Sequence, residues 1–145
     1  MPTSAAAKNA EARQKQSESD KRATLDQLIN KPRSTTEFSL FLSDGNGGTT
    51  EVTLKYQAIG MRAYDRLVAK HPPKSDQRAE GSSFDIDTFA PALIAACSVD
   101  PEISPTEAKK IWDSEEWSRG DVMVLFRNAV ELNNRGLDVP FSETD

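Results

Sequence analysis

The chain has 145 residues, 37% of them hydrophobic and 28% charged, with a net charge of -5. That length fits one domain. A mean hydropathy of -0.61 implies that part of the chain never packs. There is no apolar run of the roughly 18 residues that a membrane span needs, and Met1 to Ala10 has no apolar core of a secretory signal. One cysteine and one histidine exclude an internal disulfide and make a poor stock for a zinc site. The expectation is a soluble, cytoplasmic protein.

Charge is unevenly spread. Residues 1–33 hold seven basic and four acidic side chains, whereas residues 100–145 hold five basic and eleven acidic ones. A basic tail on an acidic body could touch nucleic acid, but the body would repel phosphate. Solvated surface is the simpler reading of the tail. Residues 1–36, rich in Ala, Lys, Gln, Glu and Ser, are expected to form a flexible polar tail or a frayed helix. Leu25, Leu28 and Ile29 make one short apolar stripe there, and Pro32 ends any helix.

Between Glu37 and Tyr56 the period changes to two. Phe38, Leu40 and Leu42 alternate with Ser39, Phe41 and Ser43, and Val52, Leu54 and Tyr56 alternate with Glu51, Thr53 and Lys55. Two half-buried strands follow, joined through Asp44-Gly45-Asn46-Gly47-Gly48, whose residues tolerate positive φ. The loop also resembles the start of a calcium loop, but the acid required at position twelve falls at Lys55.

Gly60 to Lys70 reads as a helix with Met61, Tyr64, Leu67 and Val68 on one face, ended by His71-Pro72-Pro73. Lys74 to Ser83 reads as a loop. Three more helices are predicted. The first is capped by Asp85 or Asp87, tolerates Pro91 only near its first turn, and carries a stripe of Phe89, Leu93, Ala96 and Cys97. The second starts at Ser104-Pro105-Thr106-Glu107, a capping box, with Ala108, Ile111 and Trp112 inward. The third repeats apolar residues at Val122, Leu125, Phe126, Ala129 and Leu132 and stops at Gly136. Val139 and Phe141 are expected to pack back from the tail.

The fold class is therefore α+β: a β-hairpin packed with about four helices over residues 37–141, with a flexible end at 142–145. A lone hairpin is marginal, so it rests on the helices or pairs with another subunit, which offers a route to oligomers through its edges.

Chemistry is thinly signalled. His71 lacks a nucleophile and an orienting partner, and reads as a surface residue at a helix C-terminus. Cys97 lies on an apolar stripe near a helix C-terminus with Asp100 following, the wrong setting for a thiolate. Asp85 and Asp87 read as caps, and Glu115-Glu116 lacks further partners. The inventory points to a non-enzymatic protein with no catalytic, cofactor-binding or metal residues. Trp112 reads as core. Trp117, in a loop, suits either core or a binding surface.

The order of segments resembles a known family. The strand pair Phe38-Ser39-Leu40-Phe41-Leu42 and Glu51-Val52-Thr53-Leu54-Lys55 is followed by Tyr64-Asp65-Arg66-Leu67 and His71-Pro72-Pro73. Then come Phe84 to Cys97 with its Phe-x-Pro-x-Leu-Ile-Ala-Ala-Cys wording, Asp100-Pro101, Ser104-Pro105-Thr106-Glu107-Ala108 and Trp112. Leu125-Phe126, Leu132-Asn133 and Asp138-Val139-Pro140-Phe141 close the series. Over residues 37–141 this is similar to the tail assembly chaperones of long-tailed bacteriophages, in the form found among phages of actinobacteria.

The resemblance implies a non-enzymatic protein that coats the tape measure protein and keeps it soluble until major tail tube subunits assemble around it. It also implies a homo-oligomer, or a mixed oligomer with a longer form made by ribosomal frameshifting, this chain's length suiting the short form. Action is then expected in the host cytoplasm during virion assembly, with the protein absent from the mature virion. A client-binding or self-association surface is expected among Trp117, Val122, Phe126 and Val130, with Leu25, Leu28 and Ile29 as further anchors; the competing reading of the helical residues is internal core. Two other functions stay open: a head-to-tail connector or neck protein that remains in the particle, and a nucleic-acid-binding regulator using the basic tail. An acidic pI of about 5.0 and the lack of a recognition helix weigh against the regulator.

Overall fold

The structure, a computed structural model, describes residues 21–135. The chain divides between Pro32 and Arg33 into two units. In the first, helix α1 (Leu25–Ile29) is closed at its start by a reciprocal cap. The Gln27 amide donates to Thr24 Oγ1 at 3.1 Å and the Thr24 amide to Gln27 Oε1 at 2.9 Å. Leu25, Leu28 and Ile29 are exposed.

The second unit is α+β. Strands β1 (Thr35–Ser43) and β2 (Thr49–Gln57) form an antiparallel hairpin, followed by α2 (Met61–Lys70), α3 (Ser75–Ala79) and α4 (Ile86–Cys97). Then come the short strand β3 (Ser98–Asp100), α5 (Pro105–Trp112) and α6 (Arg119–Asn134). None of the described helices is long and apolar enough to cross a membrane. Gly136, Val139, Phe141 and the end at 142–145 lie outside the described residues, as does most of the basic tail.

The hairpin turn is built by its side chains. Asp44 Oδ1 accepts from the Asn46 amide at 2.7 Å and the Gly48 amide at 3.0 Å. Gly45 and Gly47 take φ of 80° and 86°, which a residue with a Cβ adopts only at a cost. The inner face carries the cross-strand pairs Phe38–Leu54 and Leu40–Val52, with Tyr56 opposite Thr36. Leu40, Leu54 and Tyr56 are buried, as the alternation requires.

Helix α4 is the centre of the core. Asp85 caps it, and Phe89, Ala90, Pro91, Leu93, Ile94 and Cys97 are buried. Phe89 packs its ring against Phe84 at 4.3 Å and edge-on to Tyr64 at 5.8 Å and Phe126 at 6.1 Å. Helix α6 lays Leu125, Phe126, Ala129 and Leu132 onto this centre and also buries Val122. Helix α5 begins with the expected box: Ser104 Oγ accepts from the Glu107 amide at 3.1 Å, and the Glu107 carboxylate accepts from the Ser104 amide at 2.9 Å. The Ser104 amide, and secondarily the Ser104 hydroxyl, hold the Glu107 carboxyl below the usual carboxylate range.

Several elements differ from the sequence reading. Ser98–Asp100 forms a third strand, antiparallel to β2, with Tyr56 opposite Ser98 and Lys55 opposite Asp100 across a bulge. Three residues give no readable period, so only the hairpin partner reveals the strand. The 74–83 loop contains α3, held by the Lys74 amide on Gln77 Oε1 at 2.7 Å and by Gln77 Nε2 donating to Asp85 at 2.9 Å. Gly81, with φ of 88°, ends it. Pro91 is the sixth residue of α4 and leaves the Asp87 carbonyl without its i+4 amide. That loss costs about 3 kcal/mol in an exposed helix; here six buried side chains outweigh it, each large one contributing roughly 1.5–3 kcal/mol. Ala96 and Met61, assigned to inner faces, are exposed. Strand β1 starts at Thr35, two residues before the boundary drawn at Glu37.

Candidate functional site

The hairpin, the segment after β3, α5 and the turn before α6 enclose an open apolar groove of about 350 Å³. Leu40 and Leu42 of β1 and Val52 and Leu54 of β2 form its floor. Their side chains share one face because strand residues two apart do. Pro101 and Ile103 form one wall, Ile111 and Trp117 another, and Leu125 closes the base. Ile103, Ile111, Trp117, Leu42 and Val52 are half-buried: they pack on the core yet keep surface open to solvent.

Trp117 occupies the position between two helices. Ser118 caps α6, its Oγ accepting from the Asp121 amide at 3.2 Å. Ser114 fixes the preceding turn, its Oγ donating to Glu116 at 2.8 Å and accepting from the Glu116 amide at 3.2 Å. The indole is therefore held between two anchored turns. It is shared by the groove and by two neighbouring recesses, one toward Lys110 and Ser114, the other toward Ser43 and Asp121.

The border is acidic. Glu102 and Glu107 line the groove, and Glu116 and Asp121 line the recess beside it; Lys110 is the cation lining these recesses among the described residues. An apolar trough with carboxylates around it suits a helix that offers apolar anchors at i, i+3, i+4 and i+7 with Lys or Arg flanking them.

The structure places the sequence candidates differently. Trp117 lies on the groove. Val122 and Phe126, at 9% and 6% exposure, belong to the core, so they offer no contact surface. Their period of three and four is the stripe that α6 buries, which is the internal-core reading of these residues. Val130 is half-buried and packs on the same core. Leu25, Leu28 and Ile29 are exposed on α1, in the unit that ends at Pro32. Sequence reading missed Leu42, Val52, Pro101, Ile103 and Ile111 as a set, since they come from four segments. The signal present was Asp100-Pro101 followed by Ile103: Asp100 ends β3, and the two apolar residues beyond it line the groove.

The titratable candidates have structural settings. Cys97 is fully buried, and burial pushes its thiol pKa up against the opposing effect of Asn133 Nδ2, which donates to Sγ at 3.3 Å. His71 caps the end of α2, its ring 6.3 Å from that of Phe89, and its carbonyl accepts from the Asp85 amide at 2.9 Å. Asp85 accepts from Gln77 and from the Asp87 amide at 3.2 Å, with Lys74 Nζ at 4.0 Å. Among the described residues no three His, Cys, Asp or Glu side chains cluster as metal ligands would.

Comparison with family models, with curated proteins and with solved structures gives no match for this chain.

Proposed function

We propose that this protein is a non-enzymatic tail assembly chaperone of a long-tailed bacteriophage. It binds the tape measure protein, keeps it soluble, and yields it as major tail tube subunits assemble around it. The acid-bordered apolar groove at Trp117 carries this reading. The similarity in wording and order over residues 37–141 supports it independently.

A tape measure protein is a long helical rod with apolar residues that stay wet until the tube encloses them. Each groove takes a short apolar stretch of that rod, and acidic residues around it attract basic flanks. Contact of this size is weak per copy. Many copies along one rod add avidity, while each remains easy to displace. That combination suits a coat that must leave when the tube grows. The protein acts in the host cytoplasm before the particle is complete.

Co-expression with a candidate tape measure protein, followed by size-exclusion chromatography with light scattering, tests the proposal. A soluble complex holding several copies of this chain per client supports it. Client precipitation, together with recovery of this chain from purified virions, replaces it with a connector role.

A further inference from the structure

We propose that the outer edge of β1 pairs antiparallel with β1 of a second copy of this chain, about a two-fold axis at Ser39. The inference concerns the isolated protein and stands whether or not the client reading holds.

The sheet order is β1-β2-β3, so among the described residues no strand pairs with the outer side of β1. Two hydrogen bonds fix which groups point there. The Ala58 amide donates to the Ser34 carbonyl at 2.8 Å, and the Asp44 amide to the Gly48 carbonyl at 3.1 Å. Antiparallel ladders alternate, so Thr36, Phe38, Leu40 and Leu42 direct their amides and carbonyls to β2. The intervening Thr35, Glu37, Ser39, Phe41 and Ser43 direct theirs outward.

This edge lacks the usual protection. Thr35–Ser43 contains no proline and no lysine, and its pairing with β2 runs through nine residues without a bulge. The other side of the hairpin differs, because β3 covers part of β2 there. Phe41 projects from the outer face at 62% exposure, and Phe38 and Leu42 on the inner face are only half-buried. An edge of this kind is a template for another strand.

Register selects a second copy as the occupant. Ser39 is the midpoint of the strand and is one of the residues whose backbone points outward. Pairing Ser39 with Ser39 of the other copy aligns all nine residues. It sets Glu37 opposite Phe41 and Thr35 opposite Ser43, so no like charges face each other. On the inner face it sets Phe38 opposite Leu40 and Thr36 opposite Leu42, continuing the apolar layer from one copy into the next. Centring on Glu37 instead would place two carboxylates opposite one another and shorten the ladder.

Light scattering on the purified full chain, without any client, tests this. The expected mass is twice 16.0 kDa. Ser39→Pro removes an outward amide, which an edge strand tolerates, together with the exposed contact of the Ser39 hydroxyl with Thr53 Oγ1 at 3.3 Å, and Ser39→Lys places two ammonium groups opposite each other. Both variants are expected to run as monomers with an unchanged circular dichroism spectrum, while Thr53→Lys on β2 stays dimeric. Ser39→Cys is expected to link two copies on oxidation, since facing Cα atoms in such a pair lie about 5.5 Å apart, within disulfide reach. A monomeric wild-type chain overturns the proposal, as does a Ser39→Lys variant that remains dimeric or a Ser39→Cys dimer that does not cross-link.

Discussion

The Tyr56 hydroxyl donates to the Leu125 carbonyl at 3.2 Å, joining β2 to α6 across 69 positions of sequence. Both side chains are buried, and the Tyr56 ring also meets Phe38 edge-on at 4.7 Å. The bond fixes how deeply the hairpin seats on the last helix, and so sets the floor and base of the groove. Burial pushes the phenol's pKa well up, so the hydroxyl keeps its proton and stays a donor. Tyr56→Phe is expected to lower stability by about 1 kcal/mol, read as a lower urea midpoint with an unchanged slope.

Cys97 should behave as a buried apolar side chain with a reluctant thiolate. An aromatic disulfide reagent is expected to label the native chain slowly at neutral pH and the urea-unfolded chain at once. Rapid labelling of the native chain would mean that the C-terminal end of α4 opens readily.

Asp85 couples acid stability to the α3–α4 corner. Its carboxyl is held below the usual range, first by the Gln77 hydrogen bond and further by the Asp87 amide and the Lys74 and His71 charges, against an opposing burial effect. A folded-state pKa below the unfolded one stabilises the fold above the unfolded value, near 3.9 for Asp. The benefit is lost as pH falls through the lower, folded value. Asp85→Asn removes this dependence, so its stability difference from wild type should shrink as pH drops below about 4. Denaturant midpoints taken from pH 7 down to pH 3 check it; a constant difference would contradict it.

Much of this architecture was legible from local pattern. The alternation around Phe38–Leu42 and Val52–Tyr56, the Ser104–Glu107 box and the Val122–Leu132 stripe each reflect one element burying one face. What was not legible depends on pairs of distant segments. β3 exists because β2 offers an edge to it, and α3 is stabilised by Gln77 reaching Asp85. The groove likewise gathers Leu42, Val52, Ile103 and Ile111 from segments that no single period links. Trp117 was visible as a large aromatic in a loop, but only packing places it on the groove. Val122 and Phe126 show the converse: a strong period identifies buried residues and not contact surface.

The acidic border makes a charge prediction. Glu102→Lys and Glu116→Lys lie on exposed positions and should leave the fold intact. Together they are expected to weaken binding of a basic amphipathic helix about tenfold or more, equivalent to about 1.4 kcal/mol. The wild-type affinity should fall with added salt, and the double variant's should fall less. Fluorescence anisotropy of a labelled tape measure peptide measures both. Equal affinity for the two proteins would separate the groove from client binding.

Co-expression with the tape measure protein, run on wild type and Trp117→Ala, tests whether the groove holds the client. Wild type is expected to hold the tape measure protein in solution as a complex with several copies per client. Trp117→Ala should fold, as judged by circular dichroism, yet leave the client in the pellet. A client that precipitates equally with both chains, or stays soluble with both, would contradict the account.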